Sequence, residues 1–109
     1  MNRDVLSELA ANIAARRESS ADKSYTRQLL DAGPERCAKK LGEEAVEVVI
    51  AALSDDETHL KAEAADLIYH LLVLLESRSV AINDVLTVLS ARMARSGLEE
   101  KASRSGMRD

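Results

Sequence analysis

The sequence predicts an all-α protein, a single-domain bundle of about five helices spanning residues 1–109. Hydrophobic residues make up 46% of the chain, yet Phe and Trp are absent and Tyr occurs only twice, so Leu, Val, Ile and Ala must fill the core. Glycine (four) and proline (one) are scarce. The apolar residues recur at helical spacing and do not alternate, which favours amphipathic helices over strands.

Helix-breaking and capping residues separate the first four predicted helices. The first covers residues 3–17, and the second covers residues 24–33, where Gly33 ends it and Pro34 suits the first turn of the next helix. The third and fourth helices cover residues 34–53 and 57–78. A short polar turn joins them, and we expect Asp55 or Asp56 to cap the fourth helix.

The fifth predicted helix begins at Asn83 or Asp84 and runs to about residue 95. Its residues expected to face inward are apolar: Val85, Leu86, Val88, Leu89 and Met93. Residues 96–109 are polar, and we expect them to form a mobile tail.

Composition and charge exclude several classes of function. The net charge of −4 argues against binding to a nucleic-acid backbone. No run reaches the roughly 18 apolar residues of a membrane helix, and the N-terminus lacks the hydrophobic region of a signal peptide. Cys37 is the only cysteine, so no internal disulfide can form. We therefore expect a cytoplasmic protein in which Cys37 has a packing role.

The centre of the fourth helix, LIYHLLVLL at residues 67–75, is apolar on nearly every side. Such a helix must be covered all round. Because the chain is short, we expect a second copy to complete this cover, which predicts a homodimer or a higher homo-oligomer.

Acidic residues are spaced in register on the third and fourth helices. Glu44 and Glu47 lie three apart on one helix, and Glu63 and Asp66 lie three apart on the next, so each pair shares a helix face. If the hairpin folds about Asp55, these residues fall level in two rungs, roughly 12 and 16 Å from the turn. Glu43 lies beside them.

Four carboxylates in one small space repel each other unless a cation offsets their charge. An all-oxygen ligand set suits Mg²⁺, or Mn²⁺ in its place. No Cys or His joins the set as zinc would require, and the Glu-x-x-His pairs of a di-iron bundle are missing. The alternative is a solvated acidic face whose charges pair with Lys39 and Lys40.

Three further residues near these carboxylates have two interpretations each. Lys40 lies on the stripe of Glu44 and Glu47, where it would either form a surface salt bridge or hold a phosphate oxygen. Gly42 costs about 1 kcal/mol in a helix interior; it would serve either close helix packing or clearance for a ligand. We expect His70 to be packed and bonded to Asp66 or to a carbonyl.

The acidic pattern, Glu-Glu-x-x-Glu followed by Glu-x-x-Asp on the next helix, resembles that of the MazG-like all-α nucleoside-triphosphate pyrophosphohydrolases. Three longer segments resemble one family within that group, the phosphoribosyl-ATP pyrophosphohydrolases of histidine biosynthesis. The resemblance runs from about Leu6 to Arg95. The three segments are SYTRQLLDAG at 24–33, KKLGEEAVEVVIAA at 39–52 and EAADLIYHLLVLL at 63–75.

The resemblance implies Mg²⁺-dependent hydrolysis of phosphoribosyl-ATP to phosphoribosyl-AMP and pyrophosphate. Carried over by position, Glu43 is a further ligand or the base. As a mechanistic hypothesis of our own, Glu44 or Glu47 would activate the attacking water. The metal ligands by the same transfer are Glu44, Glu47, Glu63 and Asp66.

The remaining candidate residues are basic or hydroxylic. Lys40, Arg92 and Arg95 would hold the charge that develops on pyrophosphate. Ser24, Tyr25 and Thr26 would either contact the sugar or base of the substrate or cap a helix.

Two other functions remain open from the sequence. One is a house-cleaning pyrophosphatase for non-standard nucleotides, with the same chemistry on another substrate. The other is a non-catalytic helical partner protein, which would bind no metal and tolerate carboxylate-to-amide changes.

Overall fold

The computed structural model describes residues 4–94, and within them it contains helices and no strands. This confirms the predicted all-α class. Five α-helices follow one another, with a short 3₁₀ turn at Arg16–Glu18 between the first two. The helices are α1 (Val5–Ala15), α2 (Tyr25–Ala32), α3 (Pro34–Ala52), α4 (Glu57–Ser77) and α5 (Ile82–Met93).

Helices α3 and α4 form an antiparallel hairpin that is the most extensive helix contact in the described chain. Its turn is built from two polar side chains. The Ser54 hydroxyl donates to the Ala51 carbonyl at 2.8 Å and accepts from the Asp56 N–H at 3.2 Å. The Asp56 carboxylate then accepts from the His59 N–H at 3.1 Å, which is the predicted N-cap. The turn therefore fixes the register of the two helices.

Helices α1 and α2 cover one side of this hairpin and enclose a small core. Cys37 is 1% exposed, and its thiol lies 3.3 Å from the Leu29 carbonyl, so the predicted packing role is confirmed. Burial raises the pKa of this thiol. The clustered core residues are Ile13, Leu29, Leu30, Cys37, Leu72 and Val73.

A second apolar stripe on α3 remains exposed in the single chain. Val46, Val49, Ile50 and Leu53 follow the i, i+3, i+4, i+7 spacing of one helix face, and Leu53 is 85% exposed. On α4, Ile68 and Leu71 are exposed as well, whereas Leu72 and Val73 are buried by the rest of the chain. The centre of α4 is thus covered only in part within one copy.

The prediction for α5 was wrong in two respects. The helix begins at Ile82, ahead of Asn83, and Ala81 precedes it without a side-chain cap. Val88, Leu89 and Met93 were expected to face inward, but all three are exposed, because α5 packs mainly on the short α1. The predicted tail at 96–109 lies outside the described residues.

Gly42 makes no close packing contact. A Cβ atom placed on it would meet nothing within 4 Å, so the packing interpretation is wrong for the single chain. At 3.6 residues per turn, Gly42 and Glu44 point about 160° apart, whereas Gly42 and Val49 differ by about 20°. Gly42 therefore belongs to the exposed apolar stripe and not to the carboxylate face.

None of the described helices is both long enough and apolar enough to cross a bilayer.

Gly33 joins α2 to α3 with φ 96° and ψ 174°, a backbone region that is essentially restricted to glycine. We predict that Gly33→Ala lowers the free energy of unfolding by about 1–3 kcal/mol, measured by urea denaturation at one fixed protein concentration. The neighbouring change Ala32→Ser, at an exposed position, should shift it by less than about 0.5 kcal/mol. Equal effects of the two changes would contradict this account of Gly33.

Candidate active site

Three carboxylates converge between α3 and α4. Glu44, Glu63 and Asp66 each present an oxygen such that these atoms lie within 4.8 Å of one another. Glu44 and Glu63 are half-buried, and Asp66 is exposed. The hairpin turn places residues equally distant from it side by side, which is why Glu44 meets Asp66. The mirrored spacing in the sequence predicted this meeting.

Glu47 was the fourth residue of the predicted set, and it is not part of the group of three. It lies one turn further along α3 and is exposed. The helical rotation places Glu47 between Glu44 and the apolar stripe, beside Ile50. Its carboxylate is therefore at the edge of the site, open to solvent.

The donor set of the three carboxylates fits a hard divalent cation. All three contribute oxygen, they come from two helices whose register is fixed, and their mutual repulsion would be offset by positive charge. No Cys belongs to the group, and Cys37 is buried in the core. The residues present fit Mg²⁺ or Mn²⁺ better than zinc.

Lys40 forms a salt bridge on α3. Its ammonium lies 3.2 Å from a carboxylate oxygen of Glu43. The hydrogen bond between them raises the pKa of Lys40 and lowers the pKa of Glu43. The surface salt bridge, one of the two interpretations of Lys40, is therefore the contact present in the structure. A phosphate would have to displace Glu43 to bind this lysine. The Glu43 carboxylate is not in the group of three.

His59 is a neighbour of the site that the sequence analysis did not identify. Its Nε2 atom lies 3.2 Å from a carboxylate oxygen of Glu63, one turn away on α4. The i, i+4 spacing of His59 and Glu63 is the signal in the sequence that would have predicted this contact.

The three candidate residues at the start of α2 have different surroundings. Ser24 is buried, and its hydroxyl accepts from the Arg27 N–H at 3.1 Å, so it caps the helix. Thr26 is also buried, and its hydroxyl is hydrogen-bonded to the Tyr69 hydroxyl. Tyr25 alone is half-exposed. Of the three, Tyr25 has the most accessible side chain.

His70 is 7% exposed and bonded to a carbonyl, as expected. Its Nδ1 atom lies 2.9 Å from the backbone oxygen of Asp66. Arg92 lies exposed in the last turn of α5. Arg95 falls outside the described residues.

An all-α chain whose central hairpin brings carboxylates together from both helices is consistent with the MazG-like all-α pyrophosphohydrolases. Residues 6–93 match the phosphoribosyl-ATP pyrophosphohydrolase family, and the chain belongs to that family. The resemblance noted from the sequence and the predicted hydrolase class are thereby confirmed.

Proteins of several bacteria are similar over nearly the whole chain. A Rhodopseudomonas palustris protein named phosphoribosyl-ATP pyrophosphatase 1 is 56% identical over 104 residues, which covers 95% of this chain and 97% of that protein. A Nitrobacter winogradskyi protein named phosphoribosyl-ATP pyrophosphatase is 57% identical, covering 96% and 90%. One from a Ruegeria species bears the same name and is 50% identical, covering 92% and 95%.

The repulsion among Glu44, Glu63 and Asp66 predicts that removing one of these charges stabilises the fold and weakens metal binding. Without metal, Asp66→Asn should raise the free energy of unfolding by about 0.3–0.5 kcal/mol, because it removes a like charge. The same change should weaken Mn²⁺ binding by about tenfold or more, because a ligand is lost.

Urea denaturation in a chelator and Mn²⁺ titration followed by electron paramagnetic resonance measure the two effects. Asp22→Asn, which neutralises an exposed carboxylate in the turn before α2, is the control and should leave Mn²⁺ binding unchanged. Unaltered Mn²⁺ affinity in Asp66→Asn would exclude this cluster as the metal site.

Proposed function

We propose that this chain hydrolyses phosphoribosyl-ATP to phosphoribosyl-AMP and pyrophosphate, with Mg²⁺, at the carboxylate site between α3 and α4. Membership of the phosphoribosyl-ATP pyrophosphohydrolase family supports the substrate. The observation that supports the location is the convergence of Glu44, Glu63 and Asp66. The metal is inferred from the all-oxygen donor set.

The acidic residues divide into two groups by position. Glu44, Glu63 and Asp66 would hold Mg²⁺, which when bound supplies charge neutralisation and polarises the phosphoanhydride. Glu47 lies on the solvent side of that group and is exposed. A carboxylate in that position could accept a proton from an attacking water, so we assign Glu47 the role of general base.

Basic and aromatic residues would bind the rest of the substrate. Lys40 lies one turn from Glu44 and would exchange Glu43 for a phosphate oxygen, since its three donors can reorient. Tyr25, half-exposed at the start of α2, would contact the sugar or base. Arg92 and Arg95 keep their proposed role toward pyrophosphate.

We also propose that the protein acts as a homodimer through the exposed stripe of α3. Gly42, Val46, Val49 and Leu53 alternate spacings of four and three residues, the repeat with which one helix packs along another. At Gly42 the absence of a side chain would allow the backbones to approach closely. This stripe borders Glu47, so a second copy would lie at the edge of the carboxylate site.

The cytoplasmic location stays a prediction based on the single cysteine.

The substrate is tested by measuring pyrophosphate release from phosphoribosyl-ATP with and without Mg²⁺, beside a panel of deoxynucleoside triphosphates. We expect Mg²⁺-dependent release from phosphoribosyl-ATP. Release from the deoxynucleotides alone would favour the house-cleaning alternative, and no release from any of them would overturn the proposed activity.

The role of Glu47 gives a prediction for catalysis. Glu47→Ala should reduce pyrophosphate release by about 100-fold or more, because a general base is lost, and should leave the helical content unchanged. Activity and far-ultraviolet circular dichroism measure the two effects. Glu35→Ala, at an exposed position in the first turn of the same helix, should keep normal activity. An active Glu47→Ala protein would exclude this assignment.

The homodimer gives a prediction for assembly. Val49→Lys places a charge in the middle of the stripe and should convert the protein from dimer to monomer at the same loading concentration in sedimentation velocity. Val5→Lys makes the same chemical change at an exposed position on α1 and should leave the dimer intact. A dimer that survives Val49→Lys would exclude this surface.

A further inference from the structure

Two pairs of residues join the start of α2 to the middle of α4. The Tyr25 hydroxyl lies 3.4 Å from Nε2 of His70, and the Thr26 hydroxyl bonds to the Tyr69 hydroxyl. The rings pack together as well: Tyr69 and His70 meet edge-on with centroids 4.9 Å apart. Helix α2 is thus attached to α4 directly beyond Asp66 by two neighbouring hydrogen-bonded contacts.

The hydrogen bonds of His70 define which ring nitrogen carries the proton. The Asp66 carbonyl can only accept, so Nδ1 must donate to it across 2.9 Å. In the neutral ring Nε2 is then the acceptor, and the Tyr25 hydroxyl donates to it. A directed path therefore runs from Tyr25 through His70 to the backbone of Asp66.

That path connects two parts of the site. Asp66 contributes one of the three converging carboxylates. Tyr25 is half-exposed at the start of α2. His70 itself is almost fully buried, and its Nε2 atom lies 3.4 Å from the Tyr25 hydroxyl.

We propose that His70 is a positioning residue that couples Tyr25 on α2 to the turn of α4 that carries Asp66. Its Nδ1 side holds the backbone from which the Asp66 carboxylate projects, and its Nε2 side holds the Tyr25 hydroxyl, which fixes the half-exposed Tyr25 ring that would contact the substrate. This inference rests on the proposed function for the part played by Tyr25, whereas the effect on Asp66 concerns metal binding by the free protein.

The competing explanation is that the aromatic cluster only packs α2 against α4. In that case the Thr26–Tyr69 contact would matter as much as the Tyr25–His70 contact, because both join the same helices. The two explanations differ in one expectation. If His70 is a positioning residue, losing the Tyr25–His70 contact changes substrate binding and losing the Thr26–Tyr69 contact does not.

Substitution of His70 by Asn or by Gln tests its two ring nitrogens one at a time. The amide nitrogen of Asn can occupy the place of Nδ1 and donate, and the amide oxygen of Gln can approach the place of Nε2 and accept from the Tyr25 hydroxyl. His70→Asn therefore keeps a donor for the Asp66 carbonyl and loses the contact with Tyr25. His70→Gln keeps an acceptor for the Tyr25 hydroxyl and loses the donor to the Asp66 carbonyl. Tyr25→Phe removes the hydroxyl alone, and Tyr69→Phe removes the neighbouring hydrogen bond as the matched control.

Two measurements are made on each variant: Mn²⁺ affinity of the free protein by electron paramagnetic resonance, and KM and kcat for pyrophosphate release from phosphoribosyl-ATP. We expect His70→Gln to weaken Mn²⁺ binding by about tenfold, the effect of losing an outer hydrogen bond at a metal ligand. Tyr25→Phe and His70→Asn should keep Mn²⁺ affinity within twofold and raise KM by about fivefold.

The double variant with Tyr25→Phe and His70→Asn should raise KM no further than either single change, because both remove the same contact. Tyr69→Phe should leave KM and Mn²⁺ affinity within about twofold of the unmodified protein.

Either of two results would overturn the proposal: unchanged Mn²⁺ affinity in His70→Gln, or an equal rise in KM for Tyr69→Phe and Tyr25→Phe. If His70→Gln does not fold, the comparison of Tyr25→Phe with Tyr69→Phe decides. If the unmodified protein does not act on phosphoribosyl-ATP, the proposed function fails, and the Mn²⁺ measurements still test the part of the proposal that concerns Asp66.

Discussion

The register of the α3–α4 hairpin is the constraint on which the site depends. Side chains on two antiparallel helices meet only when they lie equally far from the turn, so a shift by one residue would rotate them about 100° away. The Ser54 and Asp56 hydrogen bonds hold the turn in one geometry. The meeting of the three carboxylates is thereby specified by a turn that contributes no carboxylate to the group.

The two sides of helix α3 have different surroundings. One side, which includes Cys37 and Ala51, is buried against the other helices. Glu44 lies seven residues from each of them and so on the same side, whereas the opposite side carries the exposed stripe that contains Val49. Gly42 lies on the exposed side, so its missing side chain leaves no void in the core.

Much of the fold and part of the site could be predicted from the sequence. Helical periodicity and the signals at Gly33, Pro34 and Asp56 located the helices closely, because these signals act locally. The meeting of Glu44 with Asp66 followed from counting residues about the turn. The surroundings of Glu47 and the outward direction of Leu89 could not be predicted, since both depend on how far a helix rotates against its neighbours, which periodicity alone does not fix.

The aromatic cluster beside Asp66 has a consequence for observing this protein. Tyr25 and Tyr69 are its only tyrosines, and the chain has neither Trp nor Phe. Their rings lie 6.5 Å apart, both in contact with His70. The near-ultraviolet absorption and the intrinsic fluorescence of the chain therefore originate entirely from one location at the edge of the carboxylate site. The protein carries a built-in optical label there, so events at the site can be followed in the unmodified molecule.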